Sequence, residues 1–204
     1  MKLTDLTKES VLEEVAKIQY LYKLKYEIRY DQNREDKDYT ESVAEHIYGM
    51  HILATYFLPL ENPKRDWNRQ KIYEMITWHD MDEVETGDMI GYMKTPADRA
   101  RETEAMKVVL QKSPAHLQDY MTILLGEYES LSSNEAKFVK ALDRVEPLFH
   151  LYNEKGRNTM KMNRTTLENS EKLKQPYIQE FPFIKLFSHT LTAAMETRGY
   201  FYKK

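Results

Sequence analysis

Trp78-His79-Asp80-Met81-Asp82-Glu83-Val84-Glu85-Thr86-Gly87-Asp88 is the stretch on which the fold of this chain turns. It closes an apolar run in which Ile72, Ile76, His79 and Glu83 recur at helical spacing, so this face is expected to point inward. An imidazole and two carboxylates on a buried face are costly unless something binds them, and a divalent metal would compensate. On a helix His79 and Asp80 stand about 100° apart, so an ion lying between their directions takes both. Glu83 follows one turn along the same side. Gly87 has the character of a helix terminator, which leaves Asp88 in the next loop beside the mouth of any site.

Around this stretch the chain reads as helices. Ser10-Val11-Leu12-Glu13 has the form of a capping box, with Val11, Val15, Ile18 and Tyr22 as an apolar stripe to about Lys25. Arg29 and Tyr30 precede a charged segment, 30–40, expected as a loop. Glu41-Ser42-Val43-Ala44-Glu45-His46 opens a second helix, with His46, Met50, Leu53 and Phe57 on one face and Pro59 and Pro63 ending it. The third helix is expected over 68–85. Thr95-Pro96 starts a charged helix over 96–111, since proline suits the first helical position, and Pro114 breaks it. A helix over 116–129 is expected to turn Tyr120, Ile123 and Leu124 inward. Asn134 can cap the next, whose core stripe is Phe138, Leu142, Val145 and Phe149, with Asp143 beside Val139. The polar segment 153–175 reads as a loop with a short helix, and Pro182 precedes a last helix over 183–198. Alternating strand patterns, internal repeats and low-complexity tracts are absent from the sequence. The expected class is all-α, one domain over 1–204, with a motif-bearing core over 21–149 and a helical extension over 150–204.

Composition narrows the chemistry. The 204 residues are enough for one domain with a sizeable core. A net charge of −3 provides no global basic field, so a nucleic-acid polymer is not an expected partner. With no cysteine, disulfides, thiolate catalysis and zinc–thiolate sites are excluded, and a metal must be held by imidazole nitrogen and carboxylate oxygen. No apolar run reaches the roughly 18 residues of a membrane span. Met1-Lys2-Leu3-Thr4-Asp5 lacks the apolar stretch of a signal peptide, so a soluble cytoplasmic protein is expected.

His46, His79 with Asp80, and Asp143 fall on three separate expected helices. Such a mixed nitrogen and oxygen set suits manganese, iron, cobalt, nickel or zinc better than calcium. Four protein ligands leave positions for water and a phosphate oxygen, and bound water becomes a nucleophile near neutral pH. Spacing alone leaves one ligand open, because Ile47, His51, Ala54 and Leu58 form a stripe equivalent to that of His46.

The order Glu45-His46, His79-Asp80, Leu142-Asp143 resembles the H…HD…D motif of the HD-domain metal-dependent phosphohydrolases, a family of helical bundles. Its gaps are 33 residues from His46 to His79 and 63 from Asp80 to Asp143, normal for that family. Ser42-Val43-Ala44-Glu45-His46 and the block from His79 to Asp88, H-D-x-x-E-x-x-x-G-D, are similar to the 5′-deoxynucleotidase branch and its relatives. Arg101-Glu102-Thr103-Glu104-Ala105-Met106 is similar to the charged helix that follows in some members. The likeness covers about 21–149, and residues after Phe149 add little.

The resemblance implies an enzyme, a metal-dependent phosphomonoesterase acting on deoxyribonucleoside 5′-monophosphates. It makes His46, His79, Asp80 and Asp143 the metal ligands. Glu83 becomes an acid–base or water-orienting group, and Asp88 orients the attacking water or meets the substrate. Arg29 becomes the phosphate-gripping arginine, whose planar fork bonds two oxygens at once. Two departures lie where substrate is read. Tyr30 stands where the family usually has tryptophan, leaving an aromatic to pack on sugar or base, and no proline follows Asp88 before Pro96. The alternatives are an HD hydrolase of cyclic nucleotides, guanosine tetraphosphate or nucleoside triphosphates, and a non-catalytic, metal-bound binding module. No strongly basic pocket for a long polyphosphate is evident in the sequence. Dimers are common in the family, and the Tyr- and Phe-rich segment 181–202 is the expected contact of a homodimer.

Overall fold

A computed structural model of the chain describes residues 8–30 and 41–203, with side chains from residue 13 onward. The expected loop over 30–40 lies almost entirely outside the described residues, as does the stretch Met1 to Asp5. The described residues are helical and form no sheet; one isolated antiparallel bridge joins Ile28 to Ser42. The all-α reading stands.

Among the described residues ten α-helices follow in order: α1 (Lys8–Leu21), α2 (Val43–Glu61), α3 (Arg69–Trp78), α4 (Glu83–Thr86), α5 (Pro96–Lys112), α6 (Ala115–Ser130), α7 (Asn134–Leu151), α8 (Glu154–Met162), α9 (Leu167–Ile178) and α10 (Pro182–Thr197). A 3₁₀ turn, Tyr22–Lys25, extends α1. Helix α7 is the axis: α2, α3, α6, α8, α9 and α10 all pack on it. Its stripe explains why. Phe138, Val139, Leu142 and Val145 are buried and meet Met50 and Phe57 of α2, Ile72 and Ile76 of α3, and Ile178 and Ile184 from the C-terminal helices. A second apolar cluster, with Val43, Met81, Val109 and Met121, ties α5 and α6 to the start of α2.

Several local expectations need correction. Helix α1 begins at Lys8, so Ser10 lies inside it. Val15, Ile18 and Tyr22 are exposed, whereas Leu21 and Leu24 are buried, because the bundle meets this segment only at its far end. Helix α2 passes through Pro59 and ends at Glu61, with Asn62 as its C-cap; Pro59 faces solvent, where one lost backbone bond is tolerated. Helix α3 stops at Trp78, and residues 79–82 form tight turns closed by Met81 N–H on the Trp78 carbonyl and Glu83 N–H on the Asp80 carbonyl. On α6 the inward residues are Met121, Leu124, Leu125 and Tyr128; Tyr120 and Ile123 are exposed. Ser133, not Asn134, caps α7. The segment 153–175, expected as a loop with a short helix, holds α8 and most of α9.

Candidate metal centre

Three elements deliver the candidate ligands. His46 lies in the first turn of α2, which is fixed by a capping box: the Ser42 hydroxyl accepts from Glu45 N–H and the Glu45 carboxylate accepts from Ser42 N–H at 2.6 Å. His79 is the C-cap of α3, and Asp80 follows in the turn. Asp143 is in the middle of α7. The early end of α3 matters, since the turn brings Asp80 Oδ2 to 3.0 Å from His79 Nε2. His46 Nε2 lies 3.6 Å from Asp143 Oδ1 and 3.8 Å from Asp80 Oδ2, and His79 Nε2 lies 4.0 Å from Asp143 Oδ1. His51 stands elsewhere, stacked on Tyr73 with Nε2 3.4 Å from the Thr77 hydroxyl.

This arrangement fits a metal ion. His46 is fully buried and His79 nearly so, and neither Nε2 has a hydrogen-bond partner. Each Nδ1 does: His46 Nδ1 bonds Glu146 at 2.7 Å, and His79 Nδ1 bonds the Ile76 carbonyl at 3.0 Å. Both rings therefore turn Nε2 toward the shared space between Asp80 and Asp143. Donors that each bind one ion at about 2.1 Å lie about 3–4 Å from one another, as these do. Asp143 divides its oxygens: Oδ1 faces the imidazoles, while Oδ2 accepts from the Tyr128 hydroxyl and has Lys140 and Arg144 3.7 Å away.

The electrostatics are those of a site poised for a cation. Burial opposes ionising Asp143, but Arg144, His46 and Lys140 hold it well below the usual carboxylate range. Burial likewise opposes Asp80, and the His79 ring outweighs it. For His46, burial and Arg29 work against a charge; Glu146 and Asp143 prevail and push the metal-free imidazole up to about 10. A metal would displace that proton. Glu83, buried beside Asp80 and Asp88, is pushed well above the carboxylate range, and its Oε2 has no partner.

Arg29 reaches the site from the other side. The Ile28–Ser42 bridge, with Arg29 N–H on the Glu41 carbonyl and Val43 N–H on the Glu27 carbonyl, lays this segment against the start of α2. Its guanidinium stands 3.5 Å from both Asp88 and Glu41 and 3.6 Å from Glu146. Asp88 also accepts from Tyr30 N–H. Tyr30 has φ +66° and stacks on His150; its ring lies under the Arg29 guanidinium and its hydroxyl donates to Glu41. Tyr30 lines the cavity, yet much of its surface is spent on Arg29 and His150.

The cavity above these groups has a volume of about 550 Å³. Arg29, His79, Asp80, Glu83, Asp88 and Asp143 form its floor, and His46 lies beneath. Six further cations, Lys94, Arg99, Lys140, Arg144, Lys172 and Lys174, also line the cavity. The expectation of no basic pocket is corrected in part. Several of these cations are paired, Lys94 with Glu102, Lys174 with Glu171, and Lys140 and Arg144 with Asp143. The sequence reading missed Glu41, Tyr128, Lys140, Arg144, Glu146 and His150. The available signal was helical offset from Asp143, at −3, +1, +3 and +7 on α7.

Comparison with known proteins gives a consistent picture. The family model described as "HD domain" matches residues 21–185. The 5′-deoxynucleotidase HDDC2 of Bos taurus is 38% identical over 108 residues, covering 52% of this chain and 50% of that protein. The human HDDC2 is 36% identical, with the same coverage. The 5′-deoxynucleotidase hdd1 of Schizosaccharomyces pombe is 31% identical over 118 residues, covering 55% of this chain and 57% of that one. This chain thus matches about half the length of these curated relatives. A crystal structure described as a predicted metal-dependent phosphohydrolase, from Magnetospirillum magnetotacticum MS-1, superposes with a TM-score of 0.76. It is 24% identical and covers 95% of this chain and 98% of its own, a likeness of fold.

Proposed function

The chain belongs to the HD-domain family, and from that premise we propose that it is a metal-dependent phosphohydrolase removing phosphate from deoxyribonucleoside 5′-monophosphates. The observation that carries this reading is the pair of buried, unpartnered Nε2 atoms of His46 and His79, facing Asp80 and Asp143. Those four residues would hold the ion, one of manganese, cobalt, iron, nickel or zinc. Such an ion supplies Lewis acidity and a water nucleophile near neutral pH. Arg29, aimed by Asp88 and buttressed by Tyr30, neutralises phosphoryl oxygens, where transition-state stabilisation is most needed. Glu83 exchanges a proton with the reacting oxygens, consistent with its raised affinity for one. Asp88 orients the attacking water or the substrate.

The substrate class has its own support. A cavity of about 550 Å³ lies in the range of small-ligand sites. Four of its six lining cations are paired, with Glu102, Glu171 and Asp143, which favours one phosphate over a polyphosphate. The 5′-deoxynucleotidase names of the relatives point the same way. Purified protein with Mn²⁺ or Co²⁺ is expected to release phosphate from dAMP, dGMP or TMP, and Asp80→Ala to abolish the release. Equal inactivity of both proteins across nucleotides and metals would overturn the reading.

The same reading takes the protein to act in the cytoplasm as a homodimer through 181–202, where Phe183 and Leu186 are exposed. No helix among the described residues is long and apolar enough to cross a membrane. Light scattering that gives a monomer mass at micromolar concentration would remove the dimer.

A further inference from the structure

Outside the four candidate ligands, the Glu146 carboxylate is a buried group that touches both His46 and Arg29. It is 4% exposed and lies one turn beyond Asp143 on α7. Its Oε2 is 2.7 Å from His46 Nδ1 and 3.6 Å from the Arg29 guanidinium. Glu41, the other carboxylate near that ring nitrogen, is 3.9 Å away, beyond a hydrogen bond. The backbone of α2 makes room for Glu146. Gly49 lies one turn after His46, and a Cβ there would fall 2.7 Å from Glu146 Oε1. Two pairs spaced by three residues thus face each other: His46 and Gly49 on α2, Asp143 and Glu146 on α7.

We propose that Glu146 is a positioning residue that couples the two ends of the site, fixing the His46 tautomer with Nε2 toward the metal while holding the Arg29 guanidinium. The proposal rests on the metal-site reading above. A carboxylate on the far nitrogen of a metal-bound imidazole fixes the ring orientation and raises its basicity, and losing such a partner typically weakens metal binding by about 10–100-fold. His79 is held differently, by the neutral Ile76 carbonyl. Only the His46 side is therefore sensitive to a carboxylate. The same Glu146 oxygen faces Arg29, so freeing it disturbs both the ion and the phosphate-binding fork.

The test uses the full chain, stripped of metal, with Co²⁺ as the probe. Co²⁺ affinity and the visible d–d spectrum are measured for wild type, Glu146→Ala, Glu146→Gln and Gly49→Ala. Glu146→Ala is expected to lose about 10–100-fold in Co²⁺ affinity and to change the spectrum. Glu146→Gln, whose amide oxygen still accepts from Nδ1–H, should recover part of that loss. Gly49→Ala, which pushes the carboxylate away without removing it, should move in the same direction as Glu146→Ala. Should Glu146→Ala fail to fold by metal-free melting, Glu146→Gln and Gly49→Ala carry the test. Wild type that binds Co²⁺ alongside variants of equal affinity and unchanged spectrum overturns the role of Glu146 alone. Wild type that binds no Co²⁺ overturns the metal reading and this proposal with it.

Discussion

Asp82 shows what the candidate centre costs the metal-free protein. Burial, then the nearby Asp80 and Glu102, push its carboxyl up to about 7, against partial relief from Lys94. Its folded pKa therefore lies above the unfolded value, so folding favours the protonated form. Stability falls as pH rises from about 4 to about 7, and the full penalty stands above that. The shift is worth at most about 4 kcal/mol, and partial exposure to solvent reduces it to about 1–2 kcal/mol. Asp82→Asn removes the charge. At pH 8 the metal-free variant is expected to melt about 3–6 °C above wild type, and at pH 4 the two should coincide. Identical melting at pH 8 would refute this. The histidines show what residue patterns could and could not reveal. His46 and His51 occupy equivalent apolar stripes of α2, and nothing in one helix says which stripe faces α7. Packing separates them: His46 is sealed beneath the cavity, and His51 rests on Tyr73. The H…HD…D order singled out His46 because it carries information about the partner helices as well.

At the scale of the element, the end of α3 is where sequence and structure diverge most usefully. Periodicity places His79 and Glu83 on one continuous helix, yet the chain leaves the helix at Trp78 and restarts as α4. Side-chain spacing of three and four survives tight i to i+3 turns, so the pattern looks unbroken where the backbone is not. Gly87 was legible for the opposite reason, since a positive φ demands a particular residue. It has φ +73° and accepts no Cβ comfortably, because Glu27 Oε1 would lie 3.1 Å from one. Gly87→Ala is expected to cost about 1–3 kcal/mol in strain. It also displaces Asp88, which aims Arg29, while leaving His46, His79, Asp80 and Asp143 in place. The KM for a deoxynucleotide should therefore rise severalfold with Co²⁺ affinity nearly unchanged. A parallel loss of both would show that α4 supports the ion rather than the substrate. Helices α8 and α9 were hard to see because few apolar residues hold them: Met160 and Ile178 are buried, but so are Gly156, Thr159 and Lys174, which no hydrophobic period records.

For the whole molecule, the question is whether residues beyond the recognised motif are an appendage or part of the same folding unit. The motifs read from the sequence end near Phe149, since the candidate ligands stop at Asp143, although the family model runs on to residue 185. Packing joins the later residues to the rest. Ile178 of α9 and Ile184 of α10 are fully buried in the cluster that contains Phe57, Ile76 and Phe138, and Phe181 meets Phe138 edge-on with ring centroids 5.8 Å apart. Lys174 of α9 lines the same cavity as His79. An element that shares both core and cavity cannot unfold without opening the site. The full chain is therefore expected to melt in one cooperative transition that Co²⁺ raises. Ile178→Ala, which leaves a void far from the ligands in sequence, should lower that single transition by about 5–15 °C, the equivalent of about 2–4 kcal/mol. Ile76→Ala on α3 should act alike and on the same transition. Two separate transitions, with Ile178→Ala shifting one and Co²⁺ the other, would divide the chain into two units and detach the C-terminal helices from the site.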